Sequence, residues 1–149
     1  MRRCRPPLST VCAAAAARRG AEVIVVAGSV DVSGQVETVH VETALEMREQ
    51  VMSRAPESDV IIMSAAVADY RAAQNSAHKM KKQDSLTLEL TRNPDILREL
   101  VERRREGQII VGFAAETGDE SKTAAEHAAE KARRKGADLL AFNVVSTTE

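Results

Sequence analysis

The run Val60-Ile61-Ile62-Met63 carries no polar residue, and it breaks at once into Ser64-Ala65-Ala66-Val67-Ala68-Asp69-Tyr70-Arg71. A strand that is apolar on both faces must be covered on both sides, which describes the interior of a parallel sheet flanked by helices. Ile109 to Phe113 repeats the pattern ahead of Ala114-Ala115-Glu116-Thr117, and Val23 to Ala27 repeats it ahead of Gly28. Polarity appears where the strand stops, at the edge outside which open α/β sheets hold their ligands. Val60 to Met63 is expected to be a central strand.

Helical stretches separate these runs, and each has its own punctuation. Ala13 to Arg19 has the highest helix propensity in the chain, with Gly20 where a left-handed cap belongs. Thr43 and Glu46 have capping-box spacing ahead of the stripe Ala44, Leu45, Met47, Val51 and Met52. Pro94 opens a helix carrying Ile96, Leu97, Leu100 and Val101, and Gly107 is expected to close it. A long alanine-rich helix is predicted from about Glu120 to Lys135, capped by Gly136 and followed by a last strand through Asn143. Val36 to Val41 reads as a shorter strand, and Leu86-Thr87-Leu88-Glu89-Leu90 alternates like a strand with one wet face. The alternation predicts an α/β fold: a Rossmann-like, doubly wound, mostly parallel sheet with helices on both faces. The length of 149 residues suits one domain. It divides into an atypical N-terminal segment, 1–12, and a domain over 13–149.

Composition removes several function classes. Lys and Arg total 21 against 22 Asp and Glu, so no global field draws in nucleic acid or a membrane surface, and any anion site is local. Tyr70, Phe113 and Phe142 are the only aromatics, too few for base-stacking platforms. Cys4 and Cys12 form no CxxC pair, which points to a reduced, cytoplasmic setting. No apolar run reaches the roughly 20 residues of a membrane span. The arginines around Leu8 to Ala17 resemble a leader segment, but the alanine run continues through Arg18-Arg19-Gly20 into the strand, so a helix is the better reading. His40, His78 and His127 are scattered, with no metal-ligand spacing. Neither a glycine-rich dinucleotide or phosphate loop nor a G-x-S-x-G elbow is present, which disfavours hydride transfer and serine-nucleophile chemistry.

The candidate site therefore lies at strand and helix ends: Ser64 to Asp69, Lys79 to Lys82, Ala114 to Thr117, Asn143, and the helix start Asn93-Pro94-Asp95. Each has a bland alternative. Ser64-Ala65-Ala66 can be small for packing alone, and Asp69 with Arg71 can be an ordinary surface pair. The lysine cluster can be a solvated loop, while Lys131 and Lys135 can merely balance a helix C-terminus.

Taken jointly, AAVADYR, KMKK, NPDIL, GFAAET, the paired lysines of the long helix and KGADLLAFN occur in an order that resembles bacterial phosphopantothenate–cysteine ligase. That family is usually the carboxyl half of a bifunctional coenzyme A biosynthesis flavoprotein, and the resemblance runs from about Ala13 to Ser146. It implies CTP-dependent ligation of 4′-phosphopantothenate with cysteine through an acyl-cytidylate, with Mg²⁺ accompanying the triphosphate. It also implies a cytoplasmic homodimer acting on small molecules. By resemblance, Met63, Ser64, Ala65 and Asp69 contact the nucleotide, and Lys79 meets its phosphates as the catalytic lysine. Asn93, Pro94, Asp95, Ile96 and Phe113 line the pocket, and Lys131 and Lys135 hold the triphosphate.

There are departures from the family pattern. Met1 to Cys12 stands where the family has a first strand, a Gly/Ser-rich loop and an asparagine needed for the acyl-cytidylate step. The family's last segment would follow Glu149. The expectation is a sheet lacking the family's first strand, a form truncated at both ends and impaired ligation. The rival reading is a non-catalytic nucleotide-binding remnant that acts as dimer partner or regulator.

Overall fold

The computed structural model describes residues 8–30, 36–74, 85–116 and 123–144. Helix α1 (Leu8–Ala17) starts ahead of the expected Ala13, and Thr10 and Ala13, one turn apart, are buried on it. Strand β1 (Ile24–Ala27) pairs in parallel with β2 (Glu37–His40). Helix α2 (Ala44–Arg54) begins as its capping residues predict: the Thr43 hydroxyl accepts from the Glu46 N–H at 3.1 Å. The return contact differs, because the Glu46 carboxylate accepts from the Glu42 N–H at 2.8 Å, one residue outside the cap.

Strand β3 (Val60–Met63) runs parallel to β6 (Ile109–Glu116), which runs parallel to β7 (Leu139–Val144). The order β3-β6-β7 puts β6 in the middle of these three strands. Val60 to Met63 is thus an edge of this sheet among the described residues, and Val60 and Ile62, which share one face of it, are exposed. Gly112 of β6 makes the packing over that strand possible, since a Cβ there would lie 2.8 Å from side-chain carbons of both Leu97 and Leu140.

Strands β4 (Tyr70–Ala72) and β5 (Leu90–Arg92) form a short antiparallel pair. The strand expected over Leu86 to Leu90 is therefore displaced toward Arg92. Leu86, Leu88 and Leu90 are all more than half exposed, so their alternation has no layer to pack against among the described residues.

Helix α3 (Ile96–Arg103) is capped by Asp95 and stops before Gly107. The stop falls at Arg104, whose backbone is extended at ψ of 143°. Arg103 turns back to Glu99, Arg104 leaves helical geometry to meet Asp138, and Arg105 meets Asp59. Gly107, with φ of 78°, serves the turn into β6 instead. Helix α4 (Ala124–Lys135) begins later than Glu120 because Thr123 and Glu126 form a reciprocal capping box.

Val41, Met47, Ala55, Ile96, Leu100 and Ile110 form the buried core, with Val26, Ile61 and Met63 packed against it. Arg48 joins α2 to α3 by donating two 2.6 Å bonds to Glu99, and these bonds hold the Glu99 carboxyl below its usual range. Gln108, almost fully buried, donates its amide hydrogens to the carbonyls of Ala55 and Ser58. The result is an α/β, Rossmann-like architecture with a mostly parallel set of strands.

Gly136 ends α4 at φ of 71°, and a Cβ there would meet a Val101 methyl at 3.1 Å. A left-handed backbone costs an L-residue roughly 1–2 kcal/mol. Gly136→Ala is therefore expected to lower unfolding free energy by about 1–2 kcal/mol for the backbone, and by more through the Val101 contact, in urea titration. Gly20→Ala, whose added Cβ would meet nothing within 4 Å beyond its chain neighbours, should lose only the backbone share. Equal midpoints for wild type and Gly136→Ala would contradict this account of the cap.

Candidate functional site

The site begins where β3 stops. Met63 sits opposite Gly112, and β6 runs on past it, with Phe113 opposite Ala141 and Ala115 opposite Asn143 on β7. Ser64 and Ala65 therefore leave the sheet beside the continuing β6. Met63 and Ser64 are half-buried, while Ala65 and Asp69 are exposed. Phe113 is half-buried, and Asn143 is exposed.

The loop after β3 is fastened to the residues that open α3. The Asn93 backbone N–H donates to the Asp69 carbonyl at 2.8 Å, and the Asn93 amide nitrogen donates to the Ala68 carbonyl at 2.8 Å. Arg71 then donates to the Asn93 amide oxygen at 3.0 Å and to the Arg92 carbonyl at 2.9 Å. Arg71 thus faces Asn93 and forms no surface pair with Asp69. Among the described residues the Asp69 carboxylate makes no hydrogen bond or ion pair.

Helix α4 reaches the start of α3 through Lys135. The Asp95 carboxylate accepts the Arg98 N–H at 3.2 Å through one oxygen and pairs with the Lys135 ammonium through the other. Burial alone would raise the Asp95 pKa, but the Lys135 and Arg98 contacts outweigh it and hold the carboxyl below its ordinary value. The geometry brings together Asp69, Asn93, Pro94, Asp95, Ile96 and Lys135. Lys131 lies four residues before Lys135 on α4. Lys79 and the rest of the lysine cluster through Lys82 lie outside the described residues, as do Thr117 and residues 1–7.

Sequence reasoning missed Arg71 as a fastening residue. Its partners lie 21 and 22 positions away, and only the spacing of an Asn immediately before Pro-Asp hints at a side chain free to reach back. No three His, Cys, Asp or Glu residues converge into a metal-holding group among the described residues. No helix of the described residues is long and apolar enough to cross a membrane.

A small-residue loop at a parallel strand's carboxyl end, fastened to a capped helix start that pairs with Lys135, defines a Rossmann-like α/β domain, the class of fold that holds its ligands at that edge of the sheet. Residues 9–149 match the DNA/pantothenate metabolism flavoprotein C-terminal domain, and the chain belongs to that family. It is 48% identical over 141 residues to the Coenzyme A biosynthesis bifunctional protein CoaBC of Mycobacterium tuberculosis, covering 87% of this chain and 34% of that protein. The protein of the same name from Bacillus subtilis is 46% identical over 138 residues, covering 89% of this chain and 32% of the relative. The chain thus spans about a third of the length of the curated relatives it matches. A crystal structure of the CoaBC C-terminal domain superposes with a TM-score of 0.72 at 36% identity, covering 90% of this chain and 62% of that one. A flavoprotein structure from Streptococcus pneumoniae superposes at 0.71 with 17% identity, covering 95% of this chain and 72% of that one, which speaks to the fold alone.

Proposed function

We propose that this chain acts in coenzyme A biosynthesis as a CTP-dependent ligase joining 4′-phosphopantothenate to cysteine. The carboxylate oxygen attacks the α-phosphorus of CTP and pyrophosphate leaves; the cysteine amino group then attacks the acyl carbon and CMP leaves. A carboxylate is a poor electrophile until it carries such a leaving group, and the negative charge that builds at phosphorus calls for fixed cations and N–H donors. Relatives whose names carry coenzyme A biosynthesis support the pathway. The observation that carries the site is the Asp69 carboxylate, without a partner among the described residues, on a loop fastened to the start of α3.

In this reading Met63, Ser64, Ala65, Asn93, Pro94, Asp95, Ile96 and Phe113 line the nucleotide pocket. Lys79, Lys131 and Lys135 meet the phosphates. Mg²⁺ arrives with the triphosphate, and Asp69 contacts the nucleotide. A cytoplasmic homodimer completes the proposal.

Calorimetric titration with CTP and Mg²⁺, run beside an assay of pyrophosphate release, tests it. Saturable binding with release that depends on 4′-phosphopantothenate is the expected result. Binding without release would favour the non-catalytic remnant, and absence of binding would overturn both readings. Lys79→Gln should weaken CTP affinity or slow release about tenfold, with an unchanged circular dichroism spectrum. Unaltered affinity and rate would return Lys79 to a solvated loop.

A further inference from the structure

We propose that Arg71 is a positioning residue: acting through Asn93, it fixes the loop after β3 so that the Asp69 carboxylate is held ready for the nucleotide. The assignment rests on the CTP reading above. Asn93 is only 9% exposed, and its side chain lies between one carbonyl and one guanidinium.

A side-chain amide presents an acceptor at one end and a donor at the other, and the two are interchanged by a simple flip. The Ala68 carbonyl only accepts, so the amide nitrogen must point toward it. A guanidinium only donates, so Arg71 holds the amide oxygen on its own side and makes the flipped state unfavourable. Arg71 is itself braced by the Arg92 carbonyl on the neighbouring strand.

Asn93 binds two successive carbonyls, that of Ala68 through its oriented amide nitrogen and that of Asp69 through its backbone N–H. The Asp69 backbone is thereby fixed, while its carboxylate stays without a partner among the described residues. An ionised carboxylate only accepts, so it is matched to a ligand donor, a ribose hydroxyl or a base amino group, and not to a phosphate. Fixing such an acceptor before binding lowers the ordering cost of the complex. Arg71 therefore serves the pocket without touching the ligand.

Double-mutant calorimetry with CTP and Mg²⁺ tests the assignment on wild type, Arg71→Met, Asp69→Asn and the double variant, with amide exchange at Asn93 measured without nucleotide. Each single change is expected to weaken CTP binding about tenfold, and the double variant to be little weaker than Asp69→Asn alone. Arg71→Lys, which keeps a donor for the amide oxygen, should recover most of the loss. In Arg71→Met the Asn93 amide should exchange about tenfold faster while the global melting midpoint stays put.

Fully additive losses would place Arg71 on the ligand or in general stability, and overturn the assignment. Unchanged affinity and exchange in Arg71→Met would do the same. Should Arg71→Met fold poorly, Arg71→Leu, which likewise donates no hydrogen bond, carries the exchange comparison. If wild type binds no CTP, the CTP reading falls and nucleotide presentation falls with it; the exchange result then decides the loop clamp separately.

Discussion

Replacing Gln108 by glutamate is expected to destabilise the chain by about 2–4 kcal/mol at pH 7. Gln108 is 6% exposed, and its amide nitrogen donates to the Ala55 carbonyl at 2.7 Å and to the Ser58 carbonyl at 2.6 Å. Those carbonyls belong to the short 3₁₀ turn Ala55–Glu57 and the residue that ends it, between α2 and β3. Glutamate is nearly the same size but offers only acceptors when ionised, so two bonds become two repulsions around a buried charge.

The penalty has a pH signature. Burial raises the folded-state pKa of such a glutamate above its unfolded value, so the deficit is least below the unfolded pKa and grows as pH rises through the folded one. Urea titrations at pH 5 and pH 7 read this directly, and the gap between wild type and variant should widen at pH 7. Gln108→Leu leaves the carbonyls unpaired but buries no charge, so its cost should be smaller and independent of pH. A pH-independent Gln108→Glu deficit would place the loss in packing and discard the clamp.

Residues such as Gln108 mark the limit of what the sequence makes legible. Val23 to Ala27, Val60 to Met63 and Ile109 to Phe113 stand out as strands because local apolar runs write their own burial. Thr43, the Pro94 boundary and Gly136 punctuate helices through contacts within one turn. What local pattern does not encode is the third dimension: β6 and not β3 is the middle strand of three. Likewise, the leucines at 86, 88 and 90 alternate without a layer to cover them among the described residues. The candidate site divides the same way. Its residues were legible as strand and helix ends, but Asn93 fastening Ala68, Arg71 orienting Asn93 and Lys135 meeting Asp95 join positions from 22 to 40 residues apart. Such pairings follow from topology, which a one-dimensional pattern constrains only loosely.

The pair of Asp95 and Lys135 leads to the second large expectation, on the CTP reading. Asp95 caps α3 with one oxygen and neutralises Lys135 with the other, so a polyphosphate must compete with a carboxylate for that ammonium. Lys135→Gln should weaken CTP binding about ten- to hundredfold, the cost of removing a charge-assisted phosphate contact. Asp95→Asn should act in the opposite direction, tightening CTP roughly three- to tenfold, because asparagine caps a helix about as well as aspartate but no longer repels phosphate. Raising salt should shrink both effects, as screening requires.

Acid titration checks the pair without nucleotide. The Asp95 pKa is lowered in the fold, so its stabilising contribution is fully present above the ordinary value near 3.8 and is lost as pH falls through the folded value. Melting midpoints of wild type should therefore drop more steeply below pH 4 than those of Asp95→Asn, whose side chain does not titrate there. If Asp95→Asn instead weakens CTP binding, the carboxylate holds Lys135 in place for the ligand and the competition between them is refuted. Parallel acid limbs would show that the pair contributes nothing to the fold.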